Sequence, residues 1–424
     1  MPRIEPFRAL RYSPSIAARL ADVLAPPYDV IAPEQRSRLA EHPDNIVHVD
    51  LPVAQGGRDP YATAAAILAG WVRDGTLIRD PEPAYYLCEQ TYRVGPDATR
   101  RRLGLFARLG LEPLDSGVVV PHERTHAGPR ADRLRLLEAT RTHVSPILVL
   151  HSDPGGEVSR WLARLAVPPP AASATVGDGT GPRLWRLSDP GTLGRLQDLL
   201  RESWVLIADG HHRYESALEF GRLRGGKDPG SVLACLCSLE DQGVRVLPIH
   251  RRIRGLAAFD AGRVRSGLSA WFDLQPVERP SDLPGLVASR RDHPGTFGLV
   301  FGGEAGAWVA GWREGAGLDR PTLAGLAAPL RRLDVVLLHR LVLEESLGLS
   351  LEAQSRQDHL EYVKDAVELM RGAGEAQLSV LMNPMPIEQV MTVARAGLRL
   401  PQKSTFFDPK VPSGLVLDPI EGVA

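Results

Sequence analysis

Apolar and polar residues alternate along this chain in short blocks that are separated by Gly- and Pro-containing turns. Apolar positions recur at helical spacing in several blocks, which predicts helices over residues 61–72, 131–142, 192–202 and 214–224. Short apolar runs predict strands over residues 85–92, 103–111, 147–150, 204–208 and 232–239. The first two strands flank a Gly-Pro-Asp turn, so we expect them to form an antiparallel hairpin.

The clearest local pattern runs from residue 204 to residue 239. An apolar strand is followed by the polar turn 209–213, by a helix that ends at Gly225, and by a second apolar strand. This order is typical of a β-turn-α-β unit, and parallel pairing of the two strands would give a right-handed crossover.

A second set of elements begins near residue 255. The pattern predicts strands over 297–301, 307–312 and 378–382, a long Leu-rich helix over 322–347, and a helix over 386–396. We therefore expect a mixed α/β fold (α+β) with two domains, residues 1–254 and 255–424. Residues 151–181 are rich in Pro, Gly, Ala and Ser and are expected to form a surface insertion in the first domain.

Composition narrows the possible partners. The 424 residues contain 50 Lys+Arg and 51 Asp+Glu, a balance that gives no overall attraction to nucleic acid or to an anionic membrane. No apolar run approaches the roughly 20 residues that a membrane-spanning helix needs. Three cysteines do not make a disulfide framework, and the charged, proline-broken N-terminus does not fit a signal peptide. We expect a cytoplasmic protein that binds small molecules.

Lysine is scarce relative to arginine. The lysines of the chain are Lys227, Lys364, Lys403 and Lys410. A GC-rich genome explains this bias without any function, because arginine serves as well as lysine on a solvated surface. Where a compact ammonium must meet a phosphate oxygen the two are not interchangeable. The pair within 403–410 therefore points to that segment as a candidate site.

The polar turn 209–213 is the first candidate site. The first N–H groups of a helix lack intrahelical partners and carry the positive end of the helix dipole. Gly210 allows a ligand to approach the backbone, and His211, His212 and Arg213 add side-chain donors, which together suit a phosphate group. Asp209, at the end of a buried strand, is a candidate ligand for Mg²⁺. The alternative is that Asp209 only caps the helix and the histidines are solvated.

The segment 121–129 is the second candidate, because it has no hydrophobic period and is expected to be a loop. Glu123 could act as general base toward a substrate hydroxyl, and His122 could contact the substrate. A surface ion pair or a helix cap explains the same residues equally well. A histidine metal site is a further alternative, with the candidate ligands His122, His126, His211 and His212.

The third candidate is the lysine-bearing segment near the C-terminus. Lys403, Ser404 and Thr405 could donate to a polyphosphate while Phe406 and Phe407 hold the segment down. In that case the C-terminal domain would close over the site. The alternative is a docking segment with solvated lysines and buried aromatic side chains.

Residues 25–31 form the fourth candidate. Two consecutive prolines stiffen the chain before Tyr28 and Asp29 and lower the entropy lost on fixing those side chains. Tyr28 could stack on a nucleotide base, and Asp29 could contact a ribose, a substrate amine or a metal. A rigid structural brace would use the same residues.

Several stretches resemble a large bacterial family known only as a domain of unknown function. They are PFRAL (6–10), APPYDVI (25–31), PHERT (121–125), DGHHRY (209–214), LMNP (381–384) and KSTFFDPK (403–410). The turn itself, through the spacing of Gly210, His212, Arg213, Tyr214 and Ala217, resembles the nucleotide-phosphate signature of the ParB/sulfiredoxin superfamily. This resemblance implies a ParB/sulfiredoxin-like nucleotide-binding core.

Within that superfamily the resemblance favours the free serine kinases. The catalytic cysteine of sulfiredoxins falls at the position of His211, which argues against sulfinic acid repair. ParB proteins bind DNA, but no helix-turn-helix pattern or basic cluster stands out in this chain. The resemblance thus implies a kinase that uses ATP or ADP with Mg²⁺ and phosphorylates a small hydroxyl compound, with free L-serine as first choice.

In this hypothesis Gly210, His211, His212, Arg213 and Lys403 hold the polyphosphate. Asp209 binds the metal, Glu123 takes the hydroxyl proton, and His212 is a further candidate catalytic residue. The rival hypothesis is a nucleotide-binding switch protein of the same superfamily that binds without turnover.

Overall fold

The computed structural model describes residues 2–54, 56–95, 98–125, 127–174, 180–201, 204–225, 229–303 and 306–420. The chain divides into two compact units. The first unit contains residues 1–121, 125–245 and 409–424, and the second contains residues 122–124 and 246–408. Residues 409–424, which the sequence assigned to the second domain, thus belong to the first unit. The mixed α/β class is confirmed.

Among the described residues, nine strands of the first unit form one sheet. In chain order they are β1 (Ile4–Glu5), β2 (Tyr85–Arg93), β3 (Thr99–Gly110), β4 (Val119–Pro121), β5 (Ile147–His151), β6 (Ala172–Ser173), β7 (Gly181–Leu187), β8 (Val205–Asp209) and β9 (Ser231–Ser238). The spatial order is β4-β8-β5-β9-β3-β2-β7-β6, with β1 also paired to β3. The predicted hairpin is confirmed, since β2 and β3 pair antiparallel with Tyr86 opposite Phe106.

The β-turn-α-β unit has a different strand arrangement from the one expected. Strand β5 lies between β8 and β9, pairing antiparallel with β8 and parallel with β9. Strands β8 and β9 are therefore antiparallel and are not neighbours, so the parallel pair considered from the sequence is wrong. The local pattern predicts the two strands and the helix, but it does not show that another strand lies between β8 and β9 in the sheet.

The helices of the first unit are α1 (Pro14–Ala17), α2 (Leu20–Val23), α3 (Pro33–Leu39), α4 (Val47–Asp50), α5 (Pro60–Arg73), α6 (Ala127–Thr140), α7 (Glu157–Leu165), α8 (Pro190–Leu200) and α9 (His211–Leu223). Helix α5 begins where the sequence indicates, because Asp59 accepts the N–H groups of Tyr61 and Ala62 at 3.0 Å and proline follows the cap. The expected insertion 151–181 contains α7, while its residues 175–179 lie outside the described residues.

The second unit is built on another sheet, whose strands are β10 (His250–Ile253), β11 (Phe272–Val277), β12 (Phe297–Phe301), β13 (Ala307–Trp312), β14 (Leu360–Val363) and β15 (Leu378–Met382). Their order is β11-β13-β12-β15-β10-β14, and each of these pairings is antiparallel. Its helices are α10 (Ala261–Leu268), α11 (Leu283–Ser289), α12 (Pro321–Ala324), α13 (Asp334–Leu337), α14 (Leu351–Arg356), α15 (Ala366–Arg371) and α16 (Ile387–Arg395).

The long helix expected over 322–347 is wrong. It is replaced by α12, a run of turns, α13 and a π-helical segment over Leu338–Ser346. Pro329 accounts for the interruption, because proline lacks an N–H group and disfavours helical backbone at the residue before it.

Each unit has its own apolar core. In the first unit the core joins both sides of the hairpin to β5, β8 and α9, with Tyr85, Ile147 and Tyr214 fully buried. In the second unit it joins β12, β13 and α11, with Leu283 and Val309 at its centre. Within the described parts of the chain, none of the helices combines the length and apolar character that a membrane span requires.

Candidate functional site

Gly210 makes the bend between strand β8 and helix α9. Its φ is +90°, in the left-handed region that glycine adopts without steric cost. A Cβ at this position would lie 2.7 Å from Ile147 Cγ2 and 3.0 Å from Arg213 Nε. The bend therefore needs glycine both for its backbone angle and for space. Since glycine has no side chain, it places no cap on the first turn of α9.

Replacing Gly210 with Ala is expected to lower the free energy of unfolding by about 1–3 kcal/mol, because alanine must adopt a strained φ and displace Ile147. Urea unfolding of the variant measures this. Gly194→Ala is the matched control, because Gly194 lies inside α8 with nothing within 4 Å of its added Cβ. The control should be neutral or stabilising. Equal stability of the two variants would show that the bend tolerates a side chain.

Asp209 lies between two cations at this bend. Arg213, one helical turn later, donates from Nη2 to Asp209 Oδ2 at 2.7 Å, and Lys410 donates from Nζ to Oδ1. The three side chains are between 8% and 14% exposed. One carboxylate cannot neutralise two cations, so the group keeps a net positive charge beside the positive end of the α9 dipole. This combination favours an anion and suits a phosphate group.

The electrostatics keep Asp209 ionised. Burial alone would raise the pKa of its carboxyl, but Lys410 and Arg213 together outweigh burial, and the pKa lies below its ordinary value. His211 acts in the same direction, which places it close enough to contribute to the cluster. Asp209 is therefore a carboxylate at neutral pH and stabilises the two cations rather than donating a proton.

Arg213 is more constrained than the sequence suggested. It is 8% exposed, and its Nη1 donates to the backbone oxygen of Pro146 while Nη2 donates to Asp209. Its Nε has no hydrogen-bond partner among the described residues. Both Nη atoms are thus already hydrogen-bonded within the protein. Arg213 would therefore act on a bound phosphate through its positive charge and not through a direct hydrogen bond from these atoms.

The arrangement does not fit Mg²⁺ at Asp209. Each of its carboxylate oxygens already accepts from a cation, so a metal would have to displace Lys410 or Arg213. The described residues contain no group of three His, Cys, Asp or Glu that could hold a metal. His126, one of the four histidines of the alternative metal site, lies outside the described residues.

His211 and His212 occupy the first two positions of α9 and are half-buried. They lie one and two residues beyond Gly210, at the end of the helix where N–H groups lack intrahelical partners. The structure thus brings five predicted residues, 209–213, to one bend. It adds Lys410, which the sequence had marked by the scarcity of lysine and by the family-like stretch 403–410.

Tyr28 and Asp29 form a 3₁₀ turn in the same unit. The guanidinium carbon of Arg133 lies 4.0 Å from the centroid of the Tyr28 ring, so one face of the ring is already covered by a cation. Burial raises the pKa of the Tyr28 hydroxyl, and the charge of Arg213 opposes this shift. Asp29 is exposed. The rigid-brace interpretation explains Tyr28, and base stacking would have to use the other face.

Arg133 belongs to a buried network that the sequence did not indicate. It donates from Nη1 to Asp50 Oδ1 at 3.2 Å, and fully buried Asp50 also accepts from Ser145 at 3.2 Å and from Ser413 at 2.8 Å. These residues are far apart in sequence and lie in segments without a chemical motif. Only the fold could bring them together.

In the second unit, His122 and Glu123 hold the lysine-bearing segment. His122 Nε2 lies 2.8 Å from Thr405 Oγ1, and its backbone oxygen accepts the Leu400 N–H at 2.8 Å. Glu123 Oε1 accepts the N–H of Lys403, whose φ is +54°. Hydrogen bonds therefore join two of the family-like stretches, 121–125 and 403–410. Glu123 thus fixes the backbone at Lys403, and its predicted role as general base stays a prediction.

Ser404 and Thr405 are also engaged within the second unit. They are 7% and 8% exposed, and the Ser404 hydroxyl donates to the backbone oxygen of Pro401. A role as phosphate donors would require both hydroxyls to exchange their present partners. The docking interpretation of this segment accounts for the buried hydroxyls, and Phe407, 1% exposed, packs its ring 5.7 Å from that of His122.

Two buried histidines of the second unit have lowered pKa values. Burial lowers the pKa of His339 to about 3, with the charge of Arg251 acting in the same direction. Its Nδ1 lies 2.7 Å from Gln354 Oε1, and its Nε2 lies 3.2 Å from Arg251 Nη2, which fits a neutral ring. Burial likewise lowers the pKa of His250 to about 4.

We expect stability to fall as pH is lowered from about 6.5 to about 4.5. Unfolded histidines take up protons near pH 6.5 while these two stay neutral, so the unfolded state gains protons first and is favoured. Each histidine should cost about 2–3 kcal/mol by pH 4.5. Urea unfolding at both pH values measures the loss, and His339→Gln should show less of it. Asp209 loses its contribution only below about pH 4. Asp334 acts in the opposite direction within this window, because burial raises its pKa to about 6 and the native state therefore takes up that proton first.

The chain matches one protein family and is similar to several solved structures. Residues 4–336 match the model of a family described as "Protein of unknown function (DUF1015)". A conserved hypothetical protein from Pyrococcus furiosus is 16% identical with a TM-score of 0.37, covering 73% of this chain and 93% of its own. A free serine kinase in complex with AMP is 14% identical with a TM-score of 0.36, covering 72% and 86%.

Another solved structure, SbnI with a C-terminal truncation from Staphylococcus aureus, is 12% identical with a TM-score of 0.37 and covers 73% of this chain and 86% of its own. No curated protein matches the sequence.

Proposed function

Since the chain belongs to the DUF1015 family, whose description assigns no function, we propose that it binds a nucleotide polyphosphate at the start of α9 and transfers a phosphoryl group to a small hydroxyl compound. The observation that supports this proposal is the Asp209 cluster. Two cations share one carboxylate beside an uncapped helix N-terminus, at a bend that only glycine fits.

Each group of the cluster has a separate task. The bend at Gly210 lets phosphate oxygens approach the first N–H groups of α9. Lys410 supplies the ammonium that meets the phosphate, Asp209 holds that ammonium, and Arg213 fixes the Asp209 carboxylate. Phosphoryl transfer depends mainly on such positioning and charge neutralisation.

The transfer forms a bond between the acceptor oxygen and the terminal phosphorus and breaks the bond from that phosphorus to the bridging oxygen. ATP would leave as ADP, or ADP as AMP, and the acceptor proton must pass to a base. We propose His212, at the second position of α9, as that base. Mg²⁺, if required, would be carried by the phosphates.

Free L-serine is the proposed acceptor, because residues 210–217 resemble the signature of the ParB/sulfiredoxin superfamily, which includes free serine kinases. The test is incubation of the full chain with ATP or ADP, Mg²⁺ and L-serine, with O-phosphoserine measured by mass spectrometry. One equivalent of product per nucleotide over many turnovers supports the kinase. Nucleotide binding without turnover for any hydroxyl acceptor would instead support the switch protein.

Binding can be tested apart from turnover. A nucleotide present at 100 times its Kd should stabilise the protein by about 2.7 kcal/mol, which a thermal-shift screen detects. A screen in which ATP, ADP, AMP and CTP all leave the melting temperature unchanged would overturn both the kinase and the switch.

A further inference from the structure

The second unit contains a polar cavity of about 210 Å³. Its lining includes Arg251, Asp334, Asn383 and Ser404, together with the exposed residues Arg291 and Asp292. This volume is several times that of a water molecule, which occupies roughly 30 Å³ in the liquid. The cavity is therefore large enough for a small organic molecule, and none of the roles proposed above uses it.

Arg251 lines this cavity as a buried cation. The residue is 1% exposed. Its guanidinium donates to neutral partners, which are the backbone oxygens of Ile249 and Lys403 (3.0 Å) and the ring of His339 (3.2 Å). Its Nε has no hydrogen-bond partner in the parts of the chain that the structure describes, and no described carboxylate forms an ion pair with it.

Such an arrangement is unfavourable in the absence of a ligand. A buried charge is strongly destabilising unless it is both paired and hydrogen-bonded. Burial lowers the pKa of Arg251 to about 10, and the neighbouring Tyr362, whose ring centroid lies 5.2 Å from the guanidinium carbon, and Glu123 offset this shift only in part. The position therefore favours an anionic group that would complete the hydrogen bonding of Arg251.

The same cavity also carries negative charge. Asp334 is partly buried and accepts the Gly295 N–H at 2.7 Å through Oδ1, and exposed Asp292 lines the cavity as well. With Arg251 and Arg291, the lining has two cations and two carboxylates. A phosphate or a dicarboxylate would meet both carboxylates unfavourably, whereas a ligand with one positive and one negative group matches the balance.

We propose that this cavity, here called the Arg251 cavity, binds a small zwitterion of the α-amino acid class. The carboxylate of the ligand completes the hydrogen bonding of Arg251, and its ammonium group is held by the Asp334 carboxylate. Asn383 and Ser404 line the remaining wall. The inference stands apart from nucleotide binding at α9 and needs no phosphoryl transfer.

The test is isothermal titration of the full chain, without nucleotide, using four probes. L-Serine carries both charged groups, lactate lacks the ammonium, ethanolamine lacks the carboxylate, and inorganic phosphate is a simple anion. We expect L-serine to bind at least 10-fold more tightly than each of the other three. Equal or tighter binding of ethanolamine, lactate or phosphate would overturn the assignment, as would no detectable binding of L-serine.

Variants locate the binding at this cavity. Asp334→Asn retains an oxygen for the Gly295 N–H but removes the charge, and Arg251→Gln removes the cation; each should weaken L-serine binding at least 10-fold. Glu388→Gln is the control, because Glu388 is exposed on α16 and does not line the cavity. If Arg251→Gln fails to fold, Asp334→Asn decides alone. Unchanged affinity in Asp334→Asn would overturn the proposal even if the protein proves to be a kinase.

Discussion

Replacing Arg213 with Met is expected to lower the free energy of unfolding by about 3–5 kcal/mol. Arg213 is 8% exposed and bonds both Asp209 and the backbone oxygen of Pro146. Its loss leaves a partly buried carboxylate with Lys410 alone and an unsatisfied carbonyl oxygen. Urea unfolding followed by circular dichroism measures the change. The size of the effect separates a residue that holds the bend from one that only meets a ligand.

The control for Arg213 lies on the same helix. Arg222 is exposed in the last turn of α9, and Arg222→Met should change stability by about 0.5 kcal/mol or less. A loss below about 1 kcal/mol in Arg213→Met would contradict the role assigned to its two hydrogen bonds. Arg213 would then return to the set of ligand-binding residues.

Replacing Lys410 with Met should have its largest effect on nucleotide affinity. Asp209 keeps Arg213 in this variant, so the loss of stability should be smaller than for Arg213→Met. A hydrogen bond to a charged group is worth about 1.5–3 kcal/mol, which corresponds to a roughly 10- to 100-fold rise in the Kd for ADP or ATP. Titration calorimetry with each nucleotide measures it.

A lysine elsewhere in the chain provides the comparison for Lys410. Lys364 is exposed in the second unit, with its ammonium 4.8 Å from the centroid of the Phe406 ring. Lys364→Met should leave the Kd for nucleotide unchanged. If Lys364→Met and Lys410→Met weaken binding equally, or if neither does, the Asp209 cluster is not the phosphate site.

Local features of the sequence were sufficient to predict most elements near the bend. The run at 204–208 is apolar throughout, and the polar residues 209–213 come directly after it, so the strand and its end are defined within ten residues. The hairpin β2–β3 could also be predicted from local sequence, because its two strands are close in the chain and pair with each other. Capping and periodicity are local properties, and a single sequence displays them.

Contacts between distant residues could not be predicted in this way. Asp209 and Lys410 are separated by 201 positions, and the only signal for their contact was that lysine is rare in this chain. The position of β5 between β8 and β9 likewise depends on competition among all the strands of the sheet. Motif resemblance grouped residues 122–123 with residues 403–405 in one family, but their hydrogen bonds appeared only in the folded chain.

The return of residues 409–424 to the first unit has a consequence for biosynthesis. Lys410, Ser413 and Asp418 supply partners to Asp209, Asp50 and Arg108, all of which the ribosome makes much earlier. The first unit must therefore wait, without these three contacts, while the 163 residues of 246–408 are translated. A nascent chain in this interval is a natural client for chaperones, and slow translation of the second unit should favour its degradation.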